Sequence, residues 1–258
     1  MKRALFIVGS AVLLVIIVAA VAIAFTFMGR QSIKDGADLN GIRIVADGYS
    51  SLAVLPTRGN QVALIDAGNS TEGKAILAEL SRRKIGPEEV AAIFLTHGHP
   101  DHRGAVKLFP KAQVMALEAE VPVVEGRENG GGPMQRVMPA SPSGIKVTRV
   151  LHDGEVVSIG DKQVNVFSVP GHTPGSAAYF VDGVLFMGDS ADAATDGKIL
   201  GSAWLVSNSQ ADDEASLVRL AGRLAEEKLD VKAIAFAHSG FLEKGLTPLT
   251  EYAQTHQK

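Results

Sequence analysis

Three of the chain's seven histidines fall within six residues, in Thr96-His97-Gly98-His99-Pro100-Asp101-His102. Imidazole and carboxylate are the nitrogen and oxygen donors that divalent metals take from proteins. On an extended segment residues two apart point the same way, so His97 and His99 offer one pair of donors. The adjacent Asp101 and His102 offer a second set on the other side. Two neighbouring metals fit that division better than one. A lone histidine is most often an ordinary surface or core residue, and an aspartate before a helix can be no more than its cap. Clustering tells against both, because unmetallated imidazoles packed together repel once protonated. The chemistry such a site offers is hydrolysis. Two ions about 3.5–4 Å apart bring the pKa of a shared water toward about 7 and hold the attacked carbonyl or phosphoryl oxygen. The sequence has no cysteine, which removes thiolate nucleophiles, Cys-ligated zinc and disulfides. Gly188-Asp189-Ser190 lacks the second glycine of a nucleophile elbow.

A site of this kind needs rigid elements behind it. The apolar run Val90 to Leu95 predicts a buried strand, which places the histidine segment at a strand's C-terminal end, where α/β enzymes put their chemistry. Before it, Ile42 to Ala46, Ser51 to Leu55 and Gln61 to Ile65 predict three strands separated by Asp47-Gly48 and Arg58-Gly59-Asn60 turns. Thr71 to Lys84 predicts a helix stopped by Gly86-Pro87. After it come a short helix near 104–109, a strand around 112–115 and a helical stretch near 118–124. The second half repeats the style, with strands near 146–150, 156–159, 163–169, 176–181 and 184–187. An amphipathic helix over Asp212 to Lys228, a buried strand over Ala233 to Ala237 and a helix near 246–255 complete it. Strands then helix, twice over, predict an α/β architecture of two packed mixed sheets flanked by helices, an αββα sandwich. Glu125 to Gly144 is rich in glycine and proline and long enough for a lid, which makes Arg127, Met134 and Arg136 candidate substrate contacts.

The segment Thr96 to His102 resembles the HxHxDH signature of the metallo-β-lactamase superfamily. Further motifs follow in that family's order. Pro170-Gly171-His172-Thr173-Pro174-Gly175-Ser176 is similar to its PGHTPGS segment, Gly188-Asp189 to its GD segment, and Ala237-His238-Ser239-Gly240 to the segment of its last histidine. Upstream, Ile65-Asp66-Ala67-Gly68 resembles its first motif. The resemblance implies that His97, His99 and His172 hold one divalent metal, that Asp101, His102 and His238 hold a second, and that Asp189 bridges them. Asp66 would support the site from behind, and Asp101 would orient the water or pass a proton to the leaving group. Zinc is the favoured metal, with Mn2+ or Fe2+ as alternatives. Asp189 resembles the bridging carboxylate of glyoxalase II and lactonases, which turns the expectation from β-lactams toward a small ester, thioester or lactone attacked by hydroxide. The competing readings are a β-lactam hydrolase and a non-catalytic metal-binding domain on the same fold.

The remaining expectations concern the ends and the charge. Ala4 to Met28 carries no charge and follows Lys2-Arg3. It is longer than the roughly 20 residues that cross a bilayer. Residues 1–30 are therefore expected to be a transmembrane anchor, 31–39 a linker and 40–258 the folded domain. The basic N-terminus would stay cytoplasmic and the domain would lie outside the membrane. The alternative is a signal peptide cleaved near Ala22-Ile23-Ala24, giving a secreted protein. Of 25 basic residues three are Lys2, Arg3 and Arg30, which leaves 22 against 28 acidic ones in the body. A mildly acidic body has no general attraction for nucleic acid, so the expected partner is a small-molecule substrate.

Overall fold

The computed structural model describes residues 2–257, without the side chains of residues 2–12, 15 and 19. The first half of the chain builds a seven-stranded sheet in the order β1 (Asp38–Leu39), β2 (Ile42–Asp47), β3 (Ser50–Pro56), β4 (Val62–Ile65), β5 (Val90–Phe94), β6 (Gln113–Leu117) and β7 (Arg149–Leu151). β1 to β4 are antiparallel, whereas β4 to β7 are parallel. The change of direction follows from the crossover helix α2 (Lys74–Arg82) between β4 and β5, since parallel neighbours need a long connection. The second half supplies β8 (Val156–Ile159), β9 (Lys162–Ser168), β10 (Ala177–Val181) and β11 (Val184–Phe186), a separate hairpin of β12 (Ala191–Ala193) and β13 (Ile199–Gly201), then β14 (Ala233–Ala235) and β15 (Phe241–Leu242). All but the hairpin form a six-stranded sheet in the order β15-β14-β11-β10-β9-β8.

Apolar side chains sort into three layers, which is what two sheets buried on both faces require. Phe94, Leu55 and Met115 of the first sheet meet Tyr179, Val166 and Phe186 of the second. The outer face of the first sheet packs Leu64 and Ile93 on Ile76 and Leu80 of α2. The outer face of the second packs Phe167 and Ile234 on Leu217 and Leu224 of α5 (Gln210–Glu226) and Leu249 of α6 (Thr247–His256). The expected two-sheet sandwich is thus present. The helix expected near 104–109 resolves into α3 (Pro100–Arg103) and a single 3-10 turn over Val106–Leu108, and the stretch near 118–124 into a 3-10 turn followed by α4 (Val121–Val124).

The expected N-terminal anchor has to be corrected. The stretch is helical, as α1 (Lys2–Phe27). Yet among the described residues no helix is long and apolar enough to cross a membrane. The transmembrane helix in the expected fold, the single-pass placement with an extracytoplasmic domain, and the membrane as a partner are all withdrawn. Most side chains of the first half of that stretch lie outside the described residues. Phe25, Phe27 and Met28 at its end stay 42–68% exposed, while Thr26 and the residues that follow are engaged by protein. Thr26 is buried, Gly29 O accepts from Thr195 N at 2.8 Å, and Arg30 pairs with Asp192. Gln31 donates from its backbone to Ala193 O at 2.8 Å and from its side chain to Ala194 O at 3.0 Å. These bonds hold the end of α1 to the β12–β13 hairpin.

The two sheets meet immediately before the histidine segment. Tyr179, fully buried, donates its hydroxyl to Leu95 O at 2.7 Å and sits edge-on to Phe94, with ring centres 5.5 Å apart. Ala177 N donates to Thr96 O at 2.8 Å. A buried carbonyl that loses its donor costs about 1–3 kcal/mol. Tyr179→Phe is therefore expected to lower unfolding stability by about 1–2 kcal/mol in a urea titration.

Candidate metal centre

The chain leaves β5 at Phe94 and is seized two residues later by Asp66, at the end of β4. The Asp66 carboxylate accepts from Thr96 N (2.7 Å), Thr96 Oγ1 (2.8 Å) and His102 Nδ1 (2.9 Å). Both ends of the segment are thereby tied to one buried side chain. Glu120 performs a similar task between this loop and the one carrying His172. Its Oε1 accepts from Gly98 N at 2.7 Å, and its Oε2 from Thr173 Oγ1 at 2.7 Å and Gly175 N at 2.9 Å. The approach requires glycine on both sides. A Cβ on Gly98 would lie 2.5 Å from Val124 N, and one on Gly175 2.2 Å from Glu120 N.

His172, Asp189 and His238 arrive from beyond the ends of β9, β11 and β14. The structure brings all seven expected groups together in three overlapping clusters: His97, His99 and His172; His97, His102 and Asp189; Asp101, His102 and His238. In the first, His97 Nε2, His99 Nδ1 and His172 Nε2 stand 3.0–3.1 Å from one another. Three neutral imidazoles cannot satisfy three mutual contacts by hydrogen bonding, because each presents one nitrogen and that nitrogen either donates or accepts, never both. Nitrogens held tetrahedrally 2.0–2.1 Å from zinc would be spaced about 3.3 Å, close to what is seen. The opposite ring nitrogens of His97 and His172 are occupied, His97 Nδ1 donating to Thr96 Oγ1 (3.2 Å) and His172 Nδ1 to Ser207 Oγ (3.0 Å), whereas His99 Nε2 has no partner; across the centre His238 Nδ1 donates to Tyr49 O (2.8 Å). Such partners orient the rings, and at His97 and His172 they fix the tautomer and aim the free lone pair inward. Asp189 lies between the groups, with Oδ2 3.5 Å from His172 Nε2 and 3.0 Å from His238 Nε2, and Oδ1 3.1 Å from His102 Nε2. Asp101 Oδ2 is 3.3 Å from His238 Nε2. The donor set suits a divalent metal.

The two sides differ electrostatically. Burial, with the neighbouring imidazoles adding to it, holds His97 well below the ordinary histidine range. Burial likewise lowers His99 to about 4 and His172 to about 3, outweighing the pull of Asp189. These rings are neutral at pH 7 and present lone pairs. At His102 burial also favours the neutral ring, but Asp189, Asp66 and Asp101 together push it up to about 10. His238 is raised by Asp189 and Asp101 in the same way. Asp189 is driven well below the carboxylate range because four imidazoles outweigh its burial.

A cavity of about 870 Å³ opens over the centre, with His99, Asp101, Asp189 and His238 on its lining. Of the three expected loop contacts, Met134 lines it. Arg127 turns to Glu125 at 3.1 Å and Arg136 is exposed to solvent. His152 and His256 take no part in the cluster; His152 is exposed and His256 stacks on Tyr252. Sequence reasoning missed Glu120, Ser207 and Tyr49. None of the three carried a local signal; Glu120 is one of two acids, with Glu118, in the turn before Val121.

The family model described as the metallo-beta-lactamase superfamily matches residues 46–238. A hydroxyacylglutathione hydrolase of Edwardsiella ictaluri is 31% identical over 167 residues, 64% of this chain and 56% of that protein. One from Klebsiella pneumoniae is 32% identical over 154 residues, 59% of this chain and 51% of that protein. The chain thus spans about half the length of the curated relatives it matches. Among solved structures, a metallo-beta-lactamase family protein of Thermus thermophilus superposes with TM-score 0.62 at 25% identity, covering 85% of this chain and 80% of that one.

Two measurements probe the centre. Glu120→Gln leaves one of three donors facing an amide N–H, and metal affinity is expected to fall about 10–100-fold in competition with a chromophoric chelator. Unchanged affinity with lowered stability would reduce Glu120 to a fold residue. Metal entry at His102 and His238 must displace protons, so affinity is expected to rise with pH. Calorimetry at pH 7 in two buffers of different ionisation heat should show about two protons released per chain.

Proposed function

Because this chain belongs to the metallo-β-lactamase superfamily, we propose that it is a metal-dependent hydrolase of a small ester, thioester or lactone, with a thioester favoured. The observation that carries this reading is Asp189, a nearly buried carboxylate within 3.0–3.5 Å of imidazoles from both sides of the centre. A scaffold that only bound one ion would have no use for a carboxylate so placed. The hydroxyacylglutathione hydrolases it resembles are named for thioester substrates, and this supports the choice of thioester.

In this reading His97, His99 and His172 hold one divalent ion and Asp101, His102 and His238 the other, with Asp189 shared. Two ions so held supply an activated water and a Lewis acid for the attacked carbonyl. Zinc is favoured by the nitrogen-rich first set, with Mn2+ or Fe2+ as alternatives. The protein's own part is orientation and proton transfer. Asp66, Thr96, Ser207 and the Tyr49 carbonyl keep the imidazoles aimed, and Asp101, on the cavity lining, takes the water's proton and delivers it to the departing thiolate as the C–O bond forms and the C–S bond breaks.

The test is metal analysis of the full chain followed by turnover of a panel of thioesters, lactones, phosphodiesters and β-lactams. Two metals per chain and hydrolysis of thioesters, abolished by chelation, are expected. Asp101→Asn should lower kcat about 10²–10⁴-fold. Fewer than one metal per chain, or preferential cleavage of β-lactams at full loading, would overturn the proposal.

A further inference from the structure

The cavity over the centre is far larger than a two- or three-carbon acyl group requires. Its volume of about 870 Å³ lies in the upper part of the range for sites that enclose a drug-sized ligand. One end carries His99, Asp101, Asp189 and His238. Away from them the walls are apolar: Ile23 and Phe27 from α1, Met134 and Met138 from the 126–141 loop, and Leu205 and Val206. Four of these come from segments that the seven-donor centre does not need.

Four of the polar side chains on the same walls are bound to the protein itself. Arg30 is paired with Asp192, and Gln31 donates to Ala194 O. Asn129 donates to Gln135 O at 2.7 Å and to Met138 O at 3.0 Å, and Arg103 to Gly98 O at 2.6 Å. They shape the chamber and hold α1 and the loop in place; Glu128 and Ser141 are exposed and Gln135 Oε1 has no partner, while most of the remaining surface offered to a ligand is hydrocarbon and thioether. Phe27, Met134 and Met138 stand 42–48% exposed around it. Apolar area left open beside reactive groups is covered when a ligand binds, and methionine adapts to chains of differing shape.

We infer that the substrate of this site carries a long apolar acyl limb, held between Ile23 and Phe27 of α1 and Met134 and Met138 of the 126–141 loop. The inference rests on the hydrolase reading above and adds the substrate class. It also makes the end of α1 a specificity-determining wall, fixed to the β12–β13 hairpin by Arg30 and Asp192.

The experiment uses the full zinc-loaded chain and thioesters of a single small thiol, from acetyl to decanoyl, below their aggregation concentrations. kcat/KM is expected to rise about fourfold per added methylene until the chamber is filled. Phe27→Ala and Met138→Gln, on separate segments, should each reduce the ratio of octanoyl to acetyl kcat/KM about tenfold. Hydrolysis that is flat with chain length, or a ratio unchanged in both variants, overturns the inference. If no thioester is turned over, the choice of thioester fails, and calorimetry still decides the chamber. Octanoate binding at least tenfold tighter than butyrate, weakened in Phe27→Ala, upholds it, and equal binding of the two acids overturns it.

Discussion

Everything at the centre depends on one buried carboxylate that binds nothing but the protein. Asp66 is 3% exposed and adopts a left-handed backbone, φ 61°. A non-glycine residue keeps that conformation only where its surroundings determine it. Here Asp66 N donates to Phe94 O at 2.9 Å and Ala67 N to His102 O at 2.7 Å, so the turn after β4 is stitched to both ends of the histidine segment. The side chain closes the same ring through Thr96 and His102. Burying a carboxylate is costly unless it is hydrogen-bonded, and three donors meet that condition. In return, five residues of loop become as well placed as a strand.

Charge is apportioned across the centre by the same means. His97, His99 and His172 sit where burial outweighs attraction and remain neutral, whereas His102 and His238 stand beside Asp189 and Asp101 and are held as cations. One side offers lone pairs outright, whereas a cation entering the other would have to displace protons. In the proposed two-metal arrangement the two sets would therefore follow pH unequally.

Much of this was legible in the sequence because its signals were local. Val90 to Leu95 and Ser51 to Leu55 were apolar runs bounded by turns, and β5 and β3 fall on them within a residue. The seven donors lay in ordered motifs, and the fold brings them together. What escaped notice depended on distant partners. Glu120 matters through Gly98, Thr173 and Gly175, none near it in sequence, and Ser207 through His172. The β12–β13 hairpin is only three residues a side and gains its support from Gly29, Arg30 and Gln31. Stretches so short carry too little periodicity to be read.

The N-terminal stretch shows the opposite failure, a strong local signal with more than one physical answer. An uncharged run records that side chains avoid water, without recording what replaces the water. Ile23 and Phe27 line a cavity and stay 50% and 42% exposed, whereas Thr26 is buried against the body of the protein. Arg30 is the residue that separates the alternatives. A cation flanking a bilayer faces water or headgroups, whereas this one is buried against Asp192, three residues beyond Asp189. The pair ties the end of α1 to the segment that follows the central carboxylate.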